Sequence, residues 1–254
     1  MIRRSVTGRV REAGDMERVR PSPNIWHWPE IYEIENRAQD STGALWRALR
    51  EHCDWAGLDV VDVGCGDGFH LPLFAVTART VVGVEPHPPL ARRARRRIES
   101  LPRYEKAAAE VRVAPAQRLP LADASVDLVH ARTAYFFGPG CEPGLAEAER
   151  VLRPGGTLAI IDLDATCPPY GGWMRADMPH YDPDTVETFF ERHGFHSTSV
   201  DTLWRFHDRA SLEAVLGIEF SAEVARRAVA ESPGLTLPVG YRLRVRTRPT
   251  GLLL

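Results

Sequence analysis

Lysine is almost missing from this 254-residue chain: Lys106 is the only one, and arginine supplies the rest of the 32 basic residues. Against 34 acidic residues the formal net charge is −2, so the broadly basic surface of a nucleic-acid binder is not indicated. Cysteine is scarce as well. Cys53, Cys65, Cys141 and Cys167 show neither C-x-x-C spacing nor a paired-histidine pattern, which argues against a zinc site and a disulfide framework and leaves reduced thiols in the cytoplasm as the expectation. No apolar run approaches the ~18 residues of a membrane helix. The N-terminal arginines precede no apolar stretch of the secretory type. No internal repeat is visible. Glycine and proline, in contrast, are plentiful at 20 each, and three of the glycines cluster.

The length suits one large α/β domain. Residues 1–23 are polar, rich in Arg and Glu and without periodicity, and read as a flexible tail or a loose helix; residues 24–254 read as the domain. Helices are expected over Glu30 to Ala38 and from Asp40, an N-cap type, to Gly57. Strand and helix then alternate: Leu58–Val63, a helix from Phe69, Thr80–Glu85, an Arg-rich helix opened by Pro88 or Pro89, Glu110–Ala114, Val126–Ala131, a helix from Pro143, and Thr157–Asp162. Such alternation implies a parallel sheet with right-handed crossovers. Asp182-Pro183 starts a helix that Gly194 ends, and strands at Phe195–Phe206 and Pro238–Arg248 flank two helical pieces and suit an antiparallel pairing. In the last strand Val239, Tyr241, Leu243 and Val245 alternate with Arg242, Arg244 and Arg246. An arginine face is expected to open to water or to a partner subunit, such as a second copy in a homodimer.

The run Val60-Val61-Asp62-Val63-Gly64-Cys65-Gly66-Asp67-Gly68 reads as a buried strand entering a glycine-rich turn, and Glu85 closes a second apolar run about 20 residues on. Glycines let backbone approach a ligand, and a carboxylate at that distance receives ribose hydroxyls. The spacing is G-x-G-x-G, and Phe69 stands where a dinucleotide fingerprint wants a small residue, so a ligand without a pyrophosphate fits better.

Together with Gln117-Arg118-Leu119-Pro120-Leu121, Ser125-Val126-Asp127-Leu128-Val129 and Arg150-Val151-Leu152-Arg153-Pro154-Gly155-Gly156, this layout resembles the class I S-adenosylmethionine-dependent methyltransferases. Within them it is similar to the small-molecule branch of quinone and natural-product methyltransferases. The resemblance implies a Rossmann-like α/β fold: a seven-stranded, mostly parallel sheet, helices on both faces and a C-terminal antiparallel hairpin. It implies S-adenosylmethionine as cofactor and a small molecule as methyl acceptor, with no nucleic acid, membrane or metal involved. Carried over by position, Gly64, Cys65, Gly66 and Gly68 wrap the methionine part, Asp62 serves its ammonium, and Glu85, followed by Pro86, holds the ribose. Ala116 and Gln117 stand at the adenine. Pro115 occupies a place where the family often has an acid, so adenine recognition falls to Gln117 or to a backbone carbonyl. Residues 24–57 correspond to a helical lid.

For the transfer, a nucleophile must be aligned, its proton removed or tolerated, and water excluded. Candidates at the strand ends are His130 as a general base, Tyr135 to orient a hydroxyl, and Asp164, with Asp162, to deprotonate an amine or bind a cation. Each also has a plain structural reading: a satisfied strand-end histidine, a core aromatic, an Asx turn. Arg132 is a candidate for a carboxylate, that of the cofactor or of the substrate. Substrate contacts are expected from Trp26, Trp28, Tyr32, His70 and Phe136, the first three within an aromatic and polar cluster that includes Glu33, Glu35 and Asn36. Cys167-Pro168-Pro169-Tyr170 follows the fifth strand and reads as a proline-rich loop at the substrate mouth. Two competing functions remain: a cofactor-binding subunit without catalysis, which Pro115 keeps open, and an NAD-dependent oxidoreductase, which Phe69 and the lack of a nicotinamide-side catalytic motif oppose.

Overall fold

The computed structural model describes residues 19–135 and 138–251. Residues 1–18 of the expected tail, and Phe136 with its proposed substrate contact, lie outside the described residues. The elements run α1 (Pro23–His27), α2 (Pro29–Ala38), α3 (Ala44–His52), β1 (Asp59–Val63), α4 (Leu71–Ala75), β2 (Thr80–Val84), α5 (Pro88–Glu99), α6 (Arg103–Ala108), β3 (Ala109–Arg112) and β4 (Val126–Arg132). They continue with α7 (Glu142–Val151), β5 (Leu152–Leu163), α8 (Tyr170–Asp177), α9 (Pro183–Arg192), β6 (His196–Arg205), α10 (Arg209–Glu219), α11 (Ala222–Glu231) and β7 (Thr236–Thr247).

Seven strands form one sheet in the order β3-β2-β1-β4-β5-β7-β6. β1 to β5 pair in parallel, while β7 runs antiparallel between β5 and β6. Strand order reverses beside β1, whose two neighbours are β2 and β4, so a crevice opens at the carboxyl ends of β1 and β4. Successive residues of β1 feed opposite layers. Val60 belongs to the apolar cluster with Leu49, Trp55 and Phe74, and Val61 to the one with Leu145, Val186 and Phe190.

Local chemistry explains several boundaries. Asp40, expected as the N-cap of a helix beginning at once, instead lies at φ 45° and sends its carboxylate to Ala44 N (2.7 Å) and Leu45 N (3.0 Å), so α3 starts four residues later. Asp182 and Asp208 cap α9 and α10 in the ordinary way. Cys167-Pro168-Pro169 forms the expected loop, and a helix that the sequence did not announce begins at Tyr170, with Tyr170 and Trp173 buried.

The arginine face of β7 is not open to water. Arg244 is only 1% exposed; it meets Asp162 at 2.7 Å and also reaches Glu187 on α9. Arg242 pairs with Asp164 and Arg246 with Glu149, both at 2.9 Å. Two helices, α7 and α9, and the end of β5 thus supply carboxylates to that face of the sheet.

Candidate functional site

A cavity of about 610 Å³ lies at the carboxyl ends of β1 and β4, within the roughly 300–1,000 Å³ usual for small-molecule sites. Its floor is the turn leaving β1. Gly64 and Gly66 adopt φ 72° and 57°, a left-handed conformation that glycine tolerates and other residues resist. Both line the cavity with Asp62 and Cys65. A Cβ on Gly66 would meet Ile25 Cδ1 at 2.7 Å, so α1 closes directly over the turn.

Gly68 has a different task from the one expected of it. It does not line the cavity; a Cβ there would strike the backbone of Ala94 at 3.0 Å. Its missing side chain lets α5 pack against the turn. Phe69, the bulky residue after it, lines the cavity itself.

Glu85 follows β2 and is 4% exposed. Its Oε2 accepts from Gly66 N at 3.0 Å and its Oε1 from His87 N at 2.8 Å, which leaves each oxygen a free lone pair. Burial, opposed by these two amides and assisted by the charges of Asp62 and Asp67, raises its pKa from 4.5 to about 7. A carboxylate so starved of water gains from ligand hydroxyls that donate to it. Pro86, Ala116 and Gln117 complete this wall. Trp26 stacks on His87, rings 4.3 Å apart and 9° from parallel, and so ties α1 to the loop after β2.

The residues expected to do the chemistry fare unevenly. His130 is not in the cavity. β1 and β4 pair with Asp62 opposite His130, so the two side chains share a face; His130 Nδ1 lies 2.7 Å from Asp62 Oδ1 and the ring is 0% exposed. Phe74 and Trp46 pack around it. It can orient Asp62 but cannot reach an acceptor. Asp164 is likewise engaged elsewhere: it accepts from Thr166 N and Oγ1 at 2.8 and 2.6 Å and pairs with Arg242, and it does not line the cavity. Tyr135 stands in the wall, but its hydroxyl turns to the Gly144 carbonyl at 3.4 Å and burial pushes its pKa well up, so it packs and does not orient a substrate. Trp28, at 54% exposed, faces away from the cavity. The loop before Tyr170 does not reach the mouth; Leu163, Met174 and Met178 stand there instead.

Trp26, Tyr32, His70 and Arg132 do line the cavity. Burial, with Arg132 nearby, lowers the His70 pKa well below its ordinary value, so its ring stays neutral. Arg132 donates to Gln39 Oε1, and its guanidinium sits 4.9 Å from the centre of the Tyr241 ring. Gln39 Nε2 in turn donates to Glu35 Oε1 at 2.6 Å. Glu35 faces Glu219, whose Oε1 accepts from Asn24 Nδ2 at 2.6 Å and whose Oε2 accepts from the Tyr170 hydroxyl at 2.8 Å. Sequence reasoning named Glu35 only as part of a cluster and missed Glu219. A signal existed: Ile31, Ile34, Glu35, Ala38 and Leu212, Val215, Leu216, Glu219 carry the same i, i+3, i+4, i+7 stripe, each with one acid on it. Among the described residues there is no cluster of His, Cys, Asp and Glu able to hold a metal ion.

Residues 61–160 match the family described as Methyltransferase domain. The chain carries a methyltransferase domain, in line with the resemblance of its motifs to the class I S-adenosylmethionine-dependent methyltransferases. Several curated relatives carry methyltransferase names. The arsenite methyltransferase of Halobacterium salinarum is 31% identical over 162 residues, which are 63% of this chain and 38% of that protein. Methyltransferase GfsG of Streptomyces halstedii is 32% identical over 156 residues, covering 60% of this chain and 55% of that protein. The chain thus spans well under two thirds of either relative. The YcgJ protein of Bacillus subtilis shares the fold at a TM-score of 0.59 with 14% identity, over 83% of this chain and 100% of that one. The class I methyltransferase fold so established is the Rossmann-like arrangement expected from the motifs, with β7 inserted antiparallel beside β5.

Proposed function

We propose that this methyltransferase moves the methyl group of S-adenosylmethionine to a small-molecule acceptor in the cytoplasm. The observation that carries the reading is the convergence, in one cavity at the strand-order reversal, of the Gly64–Gly66 turn, Glu85 and the Ala116-Gln117 segment. The residues fit the cofactor: Gly64 and Gly66 carry no side chain to bar its methionine part, and Glu85 offers two buried lone pairs to ribose hydroxyls. When bound, S-adenosylmethionine supplies a sulfonium-activated methyl group.

The chain's own part is binding, orientation and dryness. Gly64, Cys65 and Gly66 give close backbone approach. Asp62, held by His130, meets the ammonium, and Arg132 is positioned for a carboxylate. Gln117 supplies polar groups near the adenine in place of the acid that Pro115 lacks. Trp26 and Tyr32, from helices that act as the lid, cover the cavity and exclude water. Unpaired cysteines throughout, and the absence among the described residues of any helix long and apolar enough to cross a membrane, support the setting.

Calorimetric titration with S-adenosylmethionine, S-adenosylhomocysteine and NAD tests the reading, together with transfer of labelled methyl into metabolite pools. Binding of the first two but not NAD, and a labelled small molecule, are expected. Binding of NAD alone would sink the assignment, and cofactor binding with no labelled product from any pool would favour a binding subunit.

A further inference from the structure

We propose that Glu35 and Glu219 act as a carboxyl pair that takes the proton from the methyl acceptor, and that the acceptor is an alcohol, phenol or amine presenting an O–H or N–H to them. This inference rests on the methyl-transfer reading and names its substrate class.

The geometry comes first. Both acids line the same cavity as the glycine turn and Glu85. Glu35 projects from the core-facing stripe of α2 and is 2% exposed. Glu219 is the last residue of α10, where the helix carbonyls make a carboxylate unwelcome. Three of the four carboxyl oxygens have donors: Gln39 on Glu35 Oε1, Asn24 on Glu219 Oε1 and Tyr170 on Glu219 Oε2. Glu35 Oε2 is buried and receives no N–H or O–H from the described residues. Its neighbour is the Glu219 carboxyl, itself only an acceptor unless it carries a proton. A proton shared between the two carboxyls satisfies that oxygen, and the pair is left with one negative charge to which a substrate hydroxyl or amine can donate.

Electrostatics points the same way. Burial, then the Glu219 charge, raises the pKa of Glu35 well above the carboxylate range. Burial also raises Glu219, against the bonds it accepts from Tyr170 and Asn24. Two carboxyls in contact out of water do not both ionise, so the pair holds one proton, chiefly on Glu35, and carries one negative charge. The titratable and charged groups facing the pair are Arg132 from β4, Tyr32 from α2, Tyr170 from α8 and Tyr241 from β7. The tyrosines, their pKa values raised by burial and by these acids, stay neutral. Arg132, linked to Glu35 through Gln39, offsets the remaining charge.

In the transfer the acceptor's O–H or N–H bond breaks and a bond forms from that oxygen or nitrogen to the methyl carbon. The methyl–sulfur bond breaks with its electron pair left on sulfur. The proton passes to the pair, which goes from one proton to two and becomes neutral. The raised pKa of Glu219, the member left ionised, makes it a better base than a carboxylate in water, as the step requires.

The experiment has two readouts. Infrared difference spectroscopy of the wild-type protein with S-adenosylhomocysteine at pH 7 should show a carboxylic-acid C=O band that Glu35→Gln removes; an unchanged spectrum overturns the shared proton. Labelled S-adenosylmethionine is then supplied with a panel of phenols, alcohols, amines, thiols and enolisable carbon acids. Label is expected on oxygen or nitrogen, with kcat about 10²–10⁴-fold lower in Glu35→Gln and Glu219→Gln and S-adenosylhomocysteine affinity unchanged. Full turnover in both variants, label only on carbon or sulfur, or no label from a protein that binds S-adenosylhomocysteine overturns the proposal. Failure of the wild-type protein to bind S-adenosylhomocysteine brings down the underlying reading instead, and this inference with it.

Discussion

Glu85 shows how one buried carboxylate couples the binding site to pH. Its folded-state pKa of about 7 lies above the ordinary 4.5, so between those values the folded protein keeps a proton that the unfolded chain has released. Stability contributed at this position is therefore intact below pH 4.5, is lost as pH rises toward 7, and amounts to at most about 3 kcal/mol. Ligand hydroxyls that donate to the ionised form reverse this burden. S-adenosylhomocysteine affinity should accordingly rise between pH 6 and 8, and calorimetry on Glu85→Gln should give a flat profile that is weaker at pH 8 by about 1–3 kcal/mol; a pH-dependent variant would contradict the assignment. The two glycines of the turn separate as sharply. Both alanine variants carry the strain of a positive φ, but Gly68→Ala should lower stability further, by about 1–3 kcal/mol, because its Cβ also enters the backbone of α5, whereas Gly66→Ala meets only the flexible end of Ile25 and should lose less stability while weakening the cofactor. Denaturant midpoints and calorimetry on both variants check this, and the opposite ranking would refute it. At this scale the glycine turn and Glu85 were legible because their pattern is local. His130 was not, since its direction depends on the β1–β4 register, and Asp164 was not, since the arginine that occupies it comes from β7, far along the chain.

Elements were legible wherever apolar periodicity was regular, and misread where a single helix changed the environment. The alternation of β7 correctly marks a strand with one apolar and one basic side; what the strand alone does not carry is that α9 lies over the basic side and brings Glu187 with it. Arg244 thereby becomes a buried cation between Asp162 and Glu187, with a phenyl ring, Phe190, 4.5 Å below its guanidinium. Such a group adds little net stability when complete, since desolvation offsets the attraction, yet it is costly to break. Arg244→Met should destabilise the protein by about 3–5 kcal/mol by leaving Asp162 buried beside Glu187 without a cation. Adding Asp162→Leu should recover part of that loss. Thermal and denaturant unfolding of the single and double variants checks both statements, and a double variant no better than the single would show that the lost packing of the arginine, not the stranded charge, sets the cost. The same reasoning explains why α8 escaped notice: two prolines precede it, and its burial of Tyr170 and Trp173 comes from contacts with β7 and α11 and not from a long amphipathic pattern of its own.

For the molecule as a whole, the sheet and the cover over its crevice have different origins of stability. β1, β4 and β5 run through the centre of the sheet with apolar residues on both faces. The cover is assembled from separate parts of the chain: α1 and α2 from the N-terminal side, Met174 and Met178 in and after α8, and the end of α10. It is joined by side-chain contacts that include Asn24 to Glu219, Tyr170 to Glu219, Trp26 on His87 and the ion pairs of Glu30 with Arg93 and Glu33 with Arg97. Segments held by few contacts open locally at free energies far below that of global unfolding, whereas central strands open only with the whole domain. A ligand seated beneath the cover adds contacts to the covering segments and raises their opening energy, up to about 2.7 kcal/mol at a hundredfold excess over its dissociation constant. Hydrogen exchange should therefore slow on adding S-adenosylhomocysteine in Pro23–Ala38 and at the C-terminal end of α10, by up to about a hundredfold, with α11 and β6, which do not line the cavity, responding only through the shared global term. Protection spread evenly over the chain would mean that the ligand stabilises the fold without engaging the cover. No change in Pro23–Ala38 at saturating ligand would remove those helices from the site.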